Sequence, residues 1–158
     1  MKINIKRFAM AVIVIVCMVL IDQYSKNFFI SYLKKQPGYL LKFNSFFDIV
    51  YSWNYGISMG FFNQHQKYSN IIFLILNSTI ILYLFITYVV DVNAPKFYLM
   101  VIGGGGGNLF DRFTKGAVFD FISIHYKEYY FPAFNLADAF ITMAILMLVW
   151  EIYLKKKL

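Results

Sequence analysis

Four stretches of the chain run apolar over long distances: residues 8–29, 69–90, 97–112 with some extension, and 136–154. A helix needs about 20 apolar residues to cross a hydrocarbon core of about 30 Å, so each stretch is expected to be a membrane-spanning helix. The third is the shortest and carries Gly103 to Gly107. Two longer polar and aromatic segments, about 34–67 and 113–135, separate the first span from the second and the third from the fourth. In the first of them Pro37-Gly38 marks a turn, and Tyr39 to Trp53, rich in aromatic and branched residues, reads as strands. In the second, Lys115-Gly116 marks a turn and Ala117 to Tyr126 reads as another extended stretch. Neither a repeat nor a low-complexity linker divides residues 1–158, so one membrane-embedded domain is expected.

Composition agrees with that pattern. The chain is 60% hydrophobic and only 15% charged, against about 25% charged in ordinary soluble domains. The net charge of +7 does not point to nucleic acid, because the basic residues form no aromatic-interleaved patch. Lys2, Lys6 and Arg7 precede the first span, Lys96 lies between the second and third, and Lys155 to Lys157 follow the fourth. With an even number of spans these regions share one side, which the positive-inside rule makes cytoplasmic. Lys34, Lys35, Lys42, Lys67, Arg112, Lys115 and Lys127 lie on the other side but are spread over longer loops. Both termini are therefore expected in the cytoplasm. Phe43, Phe46, Phe47, Trp53, Tyr126, Tyr129, Tyr130, Phe131 and Phe134 crowd the outer side, as an interfacial aromatic belt does. The single cysteine, Cys17, excludes an internal disulfide. A bulky Val16 before Cys17, with apolar sequence continuing beyond, makes the first segment a span and not a cleaved leader.

Against this apolar background four aspartates stand out: Asp22, Asp111, Asp120 and Asp138. A carboxylate at the bilayer centre costs about 2.5–3.5 kcal/mol on insertion scales, so such residues mark a functional site or a paired charge. Asp22 lies 16 residues beyond Lys6 (22 − 6), or about 24 Å along a helix, which places it near the outer end of the first span. Asn108 and Asp111 close the outward-running third span, and Asn135 and Asp138 open the inward-running fourth. Elements distant in sequence thus converge at one depth.

Each cluster also has a structural reading. Asp22 and Lys26, four apart with the acid first, suit a helical ion pair. Asn108 and Asp111 share a face beside Arg112, whose planar fork suits an aspartate or a substrate backbone. Asn135 followed by Asp138 resembles a capping box. A carboxylate at a helix start is expected to stay ionised, whereas Asp120, between Val118-Phe119 and Phe121-Ile122, is expected to favour its neutral form. Such a divergence would let the two share acid and base roles.

Other motifs are weaker. Gly103 to Gly107 lacks the Lys-Ser/Thr of a phosphate loop and reads as a close helix-packing surface. Gly56-Ile57-Ser58-Met59-Gly60 matches the form of a serine-hydrolase elbow, with only His65 and His125 as candidate bases. Two isolated histidines make no zinc-peptidase motif. A small carrier or assembly protein using the aspartates as ion or proton ligands is the main rival, but the inner halves of the spans are almost entirely apolar.

Together the clusters resemble the lipoprotein signal peptidase family, the type II signal peptidases. The matching stretches are Asp22-Gln23 with Lys26, Asn54-Tyr55-Gly56, Gly103 to Arg112, Val118 to Ile122, and Phe131 to Asp138. They fall in family order across nearly the whole chain. The resemblance implies a four-helix membrane aspartic peptidase with a small extracytoplasmic β-cradle and an outer-face loop, in the bacterial inner membrane. It implies cleavage of diacylglyceryl-modified prolipoproteins before the lipidated cysteine, by a monomer without metal or organic cofactor. Asp120 and Asp138 correspond to the catalytic pair, Asn54, Gly56, Asn108, Arg112 and Asn135 to residues around the substrate, and Asp22, Lys26, Asp111 and Ala137 to supporting positions. Trp53 and Ile57-Ser58 depart from the family pattern in the cradle.

Overall fold

The structure, a computed structural model, describes residues 4–56 and 66–155. Ser58 and His65, and with them the serine-elbow motif, lie outside the described residues. Four long helices carry the chain: α1 (Ile5–Leu33), α2 (Gln66–Val90), α3 (Tyr98–Lys115) and α4 (Leu136–Lys155). Between α1 and α2 come a short 3-10 turn at Pro37–Tyr39 and strands β1 (Leu40–Lys42) and β2 (Phe47–Asn54); between α3 and α4 come β3 (Val118–Tyr126) and β4 (Tyr129–Tyr130). The fold is thus mostly helical with one small antiparallel sheet in the order β1-β2-β3-β4.

Among the described residues two helical segments, Tyr68–Val90 and Leu136–Lys155, are long and apolar enough to cross a membrane. Their outward faces carry large exposed apolar side chains, among them Ile72, Ile75, Leu82, Leu146, Val149 and Trp150. A helix apolar all round needs lipid or protein on every side, and here protein covers only one.

The glycine run does not break α3; it makes α3 the helix against which α1, α2 and α4 all pack. Glycine in a helix interior costs about 1 kcal/mol relative to alanine, so the run must be offset by close packing. A Cβ at Gly104 would collide with the Ala137 carbonyl oxygen at the start of α4, and one at Gly107 would lie 2.5 Å from Asp22 Oδ2 on α1. Neither position has room for a side chain. The close approach draws the polar ends of α1 and α4 onto α3.

The sheet covers the end of this bundle where α1 finishes and α4 begins. Phe119 and Phe121 of β3, both buried, pack with Ile49 of β2 and Leu33 of α1, and Phe121 stacks on Phe29 at 4.5 Å between centroids. In the β2–β3 register Asn54 faces Val118 and Ser52 faces Asp120, after an irregularity between Ile49 and Ser52. A separate antiparallel bridge joins Ile122 to Phe134, with both backbone bonds at 2.9 Å. That bridge fixes where α4 begins, and so brings Asn135 and Asp138 beside β3. At the opposite end of the bundle Arg7 donates to the carbonyls of Tyr88, Val92 and Ala94 at 2.8, 2.6 and 3.2 Å, tying the start of α1 to the α2–α3 connection.

Candidate active site

Asn135 links the two aspartates that the sequence singles out. It caps α4 in a reciprocal box: its Oδ1 accepts from the Asp138 N–H at 3.0 Å, and its own N–H donates to Asp138 Oδ2 at 3.1 Å. The box satisfies two helix-terminal donors, as the Asn-x-x-Asp spacing predicts. The Asn135 side chain also donates to Asp120 Oδ1 at 2.6 Å and to Asn108 Oδ1 at 3.2 Å. One fully buried residue therefore holds a carboxylate from β3 and a carboxylate from α4.

Asn108 completes the link. Its Oδ1 also accepts from Lys26 Nζ at 3.0 Å, and its amide donates to Asp138 Oδ1 at 2.8 Å. With two donors aimed at its oxygen, only the NH₂ end can face Asp138. Asn54, at the end of β2, donates to Asp120 Oδ2 at 3.0 Å. Both Asp120 oxygens thus receive an amide N–H, as do both Asp138 oxygens.

Behind this layer lies a buried charge cluster. Lys26 Nζ is 2.7 Å from Asp22 Oδ2 and 3.0 Å from Asp111 Oδ2, with all three side chains fully buried. Lys115 adds a second cation to Asp111 at 2.8 Å. Asp22 Oδ1 accepts the backbone N–H of Ala137 at 3.0 Å, an otherwise unpaired donor in the first turn of α4. Ala137 itself is fully buried, and its carbonyl lies against Gly104. Gln23 reaches the Gly107 carbonyl and Asp111 Oδ1, both at 3.1 Å. The Asp22–Lys26 pair expected within α1 is present, and it also extends across to α3.

Asp120 has the environment that its apolar neighbours suggest. Burial pushes its carboxyl up to about 6, and the negative charge of Asp138 adds to that rise. The amides of Asn54 and Asn135 and the charge of Lys26 oppose it without cancelling it. A carboxyl raised this far keeps its proton to higher pH than an ordinary aspartate, and so can donate one.

Gly56 and Arg112 lie at the edge of the network. The Gly56 N–H donates to Asn54 Oδ1 at 2.8 Å. Arg112 makes no ion pair within 4.0 Å of a described carboxylate; its guanidinium lies 5.1 Å over the Phe73 ring, and its Nε is buried without a partner. Of its two expected uses, holding an aspartate is not seen. His125 stands apart from the dyad, stacked on Tyr130 and 3.3 Å from Asp48 Oδ2.

Sequence reasoning passed over Lys115, Gln23 and Phe73. The spacing of four from Asp111 to Lys115 was a signal for the first. Gln23 adjoins Asp22 in the Asp22-Gln23 stretch, while nothing in the apolar run of α2 marks Phe73.

The chain is similar to known proteins over most of its length. A family model described as Signal peptidase (SPase) II matches residues 14–154. A lipoprotein signal peptidase of Rickettsia africae (strain ESF-5) is 49% identical over 152 residues, covering 95% of this chain and 76% of the relative. One of Rickettsia felis is 49% identical over 152 residues, covering 95% and 77%. Among solved structures, a bacterial membrane enzyme has the same fold, with a TM-score of 0.75 at 24% identity over 94% of this chain and 90% of that one. The match spans all four helices and both parts of the sheet, and on it the chain belongs to the signal peptidase II family.

Proposed function

We propose that the protein is an aspartic endopeptidase of the bacterial inner membrane that removes the signal peptide of diacylglyceryl-modified prolipoproteins, cutting before the lipidated cysteine. The observation that carries this reading is the Asn135 side chain and backbone holding Asp120 and Asp138 in one buried network. The active unit is a monomer of one domain over residues 1–158, with all four helices spanning, both termini cytoplasmic and the site near the extracytoplasmic face.

In this mechanism Asp138 takes a proton from water as its oxygen bonds to the scissile carbonyl carbon. Asp120 donates its proton to the carbonyl oxygen, giving a neutral tetrahedral diol. The diol then collapses: the C–N bond breaks, the nitrogen of the lipidated cysteine receives the proton held by Asp138, and Asp120 recovers its own from the diol. The product amine and acid leave with the dyad again holding one proton. Arg112, which makes no ion pair with a described carboxylate, supports the substrate backbone. The reading invokes neither metal nor organic cofactor, and acyl chains of the substrate remain largely in lipid.

The carrier reading is less well supported. A carrier needs polar groups along a path across the bilayer, but the inner end of the bundle is closed by Ala11, Tyr88, Val89, Ala94, Leu99 and Ile102. Purified protein in detergent is expected to release a product beginning with the lipidated cysteine, identified by its mass. Ser58→Ala is expected to cut at the wild-type rate, whereas loss of cleavage in a folded Ser58→Ala protein would favour the serine mechanism.

A further inference from the structure

We propose that Phe73 is a positioning residue of the active site, its ring serving as the shared platform for the Gly56 turn and the Arg112 guanidinium. The proposal rests on the aspartic-peptidase reading and adds to it a residue outside every polar cluster.

Phe73 sits in a largely exposed, apolar part of α2. Ile71, Ile72, Ile75 and Leu76 around it are exposed, whereas Phe73 is half-buried. On one side its ring touches Gly56, where a Cβ would lie 2.5 Å from Phe73 Cδ2 and 2.6 Å from Cε2. Gly56 has φ +112°, which a side chain rarely allows, so the turn needs glycine both for its conformation and for the ring beside it. The Gly56 N–H then fixes Asn54 Oδ1, which turns the Asn54 NH₂ toward Asp120 Oδ2. Ring, turn, amide and carboxyl thus form one continuous chain of contacts.

On the other side the ring lies under Arg112, 5.1 Å from Cζ. With no carboxylate within ion-pair distance and Nε unpartnered, this cation–π contact is what the described residues offer to hold the guanidinium in place. Asn70, one turn earlier on α2, donates to the Arg112 carbonyl at 3.2 Å and fixes α2 to α3 at this level. A leucine would fill the same space but would have neither the flat edge nor the π face.

The test is steady-state cleavage of diacylglyceryl-modified prolipoprotein by full-length protein in detergent. It compares wild type, Phe73→Leu, Phe73→Tyr, Asn54→Ala and the Phe73→Leu/Asn54→Ala double variant, with Asp120→Asn alongside. Displacing a catalytic group by about 1 Å can cost about a hundredfold, so Phe73→Leu is expected to lower kcat by between about tenfold and a hundredfold at an unchanged melting temperature. Phe73→Tyr, which keeps the ring, is expected to restore most of the rate. The double variant is expected to lose less than the product of the two single losses, as contacts in one chain do. Should Phe73→Leu not fold, Gly56→Ala tests the same contact from the other side, and wild-type turnover in it overturns the proposal. Wild-type turnover in Phe73→Leu, or losses that simply multiply, also overturn it. If Asp120→Asn is inactive in that case, the dyad stands and only the role of Phe73 falls; an active Asp120→Asn removes the dyad itself.

Discussion

Asp120→Asn and Asp138→Asn are each expected to remain folded and to lose cleavage by at least about 10²- to 10⁴-fold, the range that positioned acid–base groups contribute. In the proposed mechanism the two carboxyls play different parts, and neither can be spared. An amide at 120 cannot give up a proton to the oxyanion, and one at 138 cannot accept a proton from water. The double variant is expected to be no slower than the slower single variant, because groups that work as a unit fail together. Some loss of stability will accompany the loss of rate. Both oxygens of Asp120 accept amide N–H groups from Asn54 and Asn135, and both oxygens of Asp138 accept N–H groups from Asn108 and Asn135. Asparagine would point a donor at one of those donors, which costs about 1–3 kcal/mol for a buried group. Melting curves in detergent separate this cost from the chemical one, and a folded variant with near-normal turnover would mean that the aspartates are structural or ion ligands.

Lys26→Met is expected to have the largest effect on stability. Lys26 is fully buried between Asp22 and Asp111, with Asn108 as its third acceptor. Removing one partner of a buried ion pair typically costs about 3–5 kcal/mol, because the charge left behind has no solvent. The loss should fall mainly on Asp22, since Asp111 keeps Lys115. Adding Asp22→Asn to Lys26→Met is therefore expected to recover much of the lost stability, though not the rate. The rate should stay low because Lys26 also directs Asn108: without its donor at Oδ1, less constrains the NH₂ end to face Asp138. Denaturation in detergent and cleavage by the same samples measure the two effects. Equal stability of Lys26→Met and wild type would contradict the buried charge cluster.

Much of this was written in local sequence. The apolar runs gave the four helices to within a few residues of their ends, and the Asn135–Asp138 spacing gave the cap that starts the last of them. The convergence of Asp22, Asp111 and Asp138 followed from helix direction alone. The glycine run was also legible, because its lack of phosphate-loop partners left packing as its use, and Gly104 and Gly107 lie against α4 and α1. What stayed hidden depends on pairing between distant residues. The irregularity in β2 and the Ile122–Phe134 bridge set how Asp120 meets Asn54 and Asn135, and no periodicity encodes either. The contact from Lys26 to Asn108 spans 82 residues. Arg112 was expected to reach an aspartate or a substrate; the ring beneath it belongs to an apolar run in which one phenylalanine looks like any other side chain facing lipid.

The central claim is that the two carboxyls work with one proton between them, carried at rest by Asp120. The direct test is the pH dependence of kcat/KM for a diacylglyceryl-modified prolipoprotein, which reports the free enzyme. With Asp120 raised to about 6 by burial and by Asp138, and acting as the proton donor, kcat/KM should fall as pH rises through that region. Because the Asn54 hydrogen bond pulls the Asp120 carboxyl downward, Asn54→Ala should move the fall to higher pH. A kcat/KM that rises through the same region would mean that Asp120 works ionised and the two roles are reversed, and a flat profile would contradict the shared proton altogether.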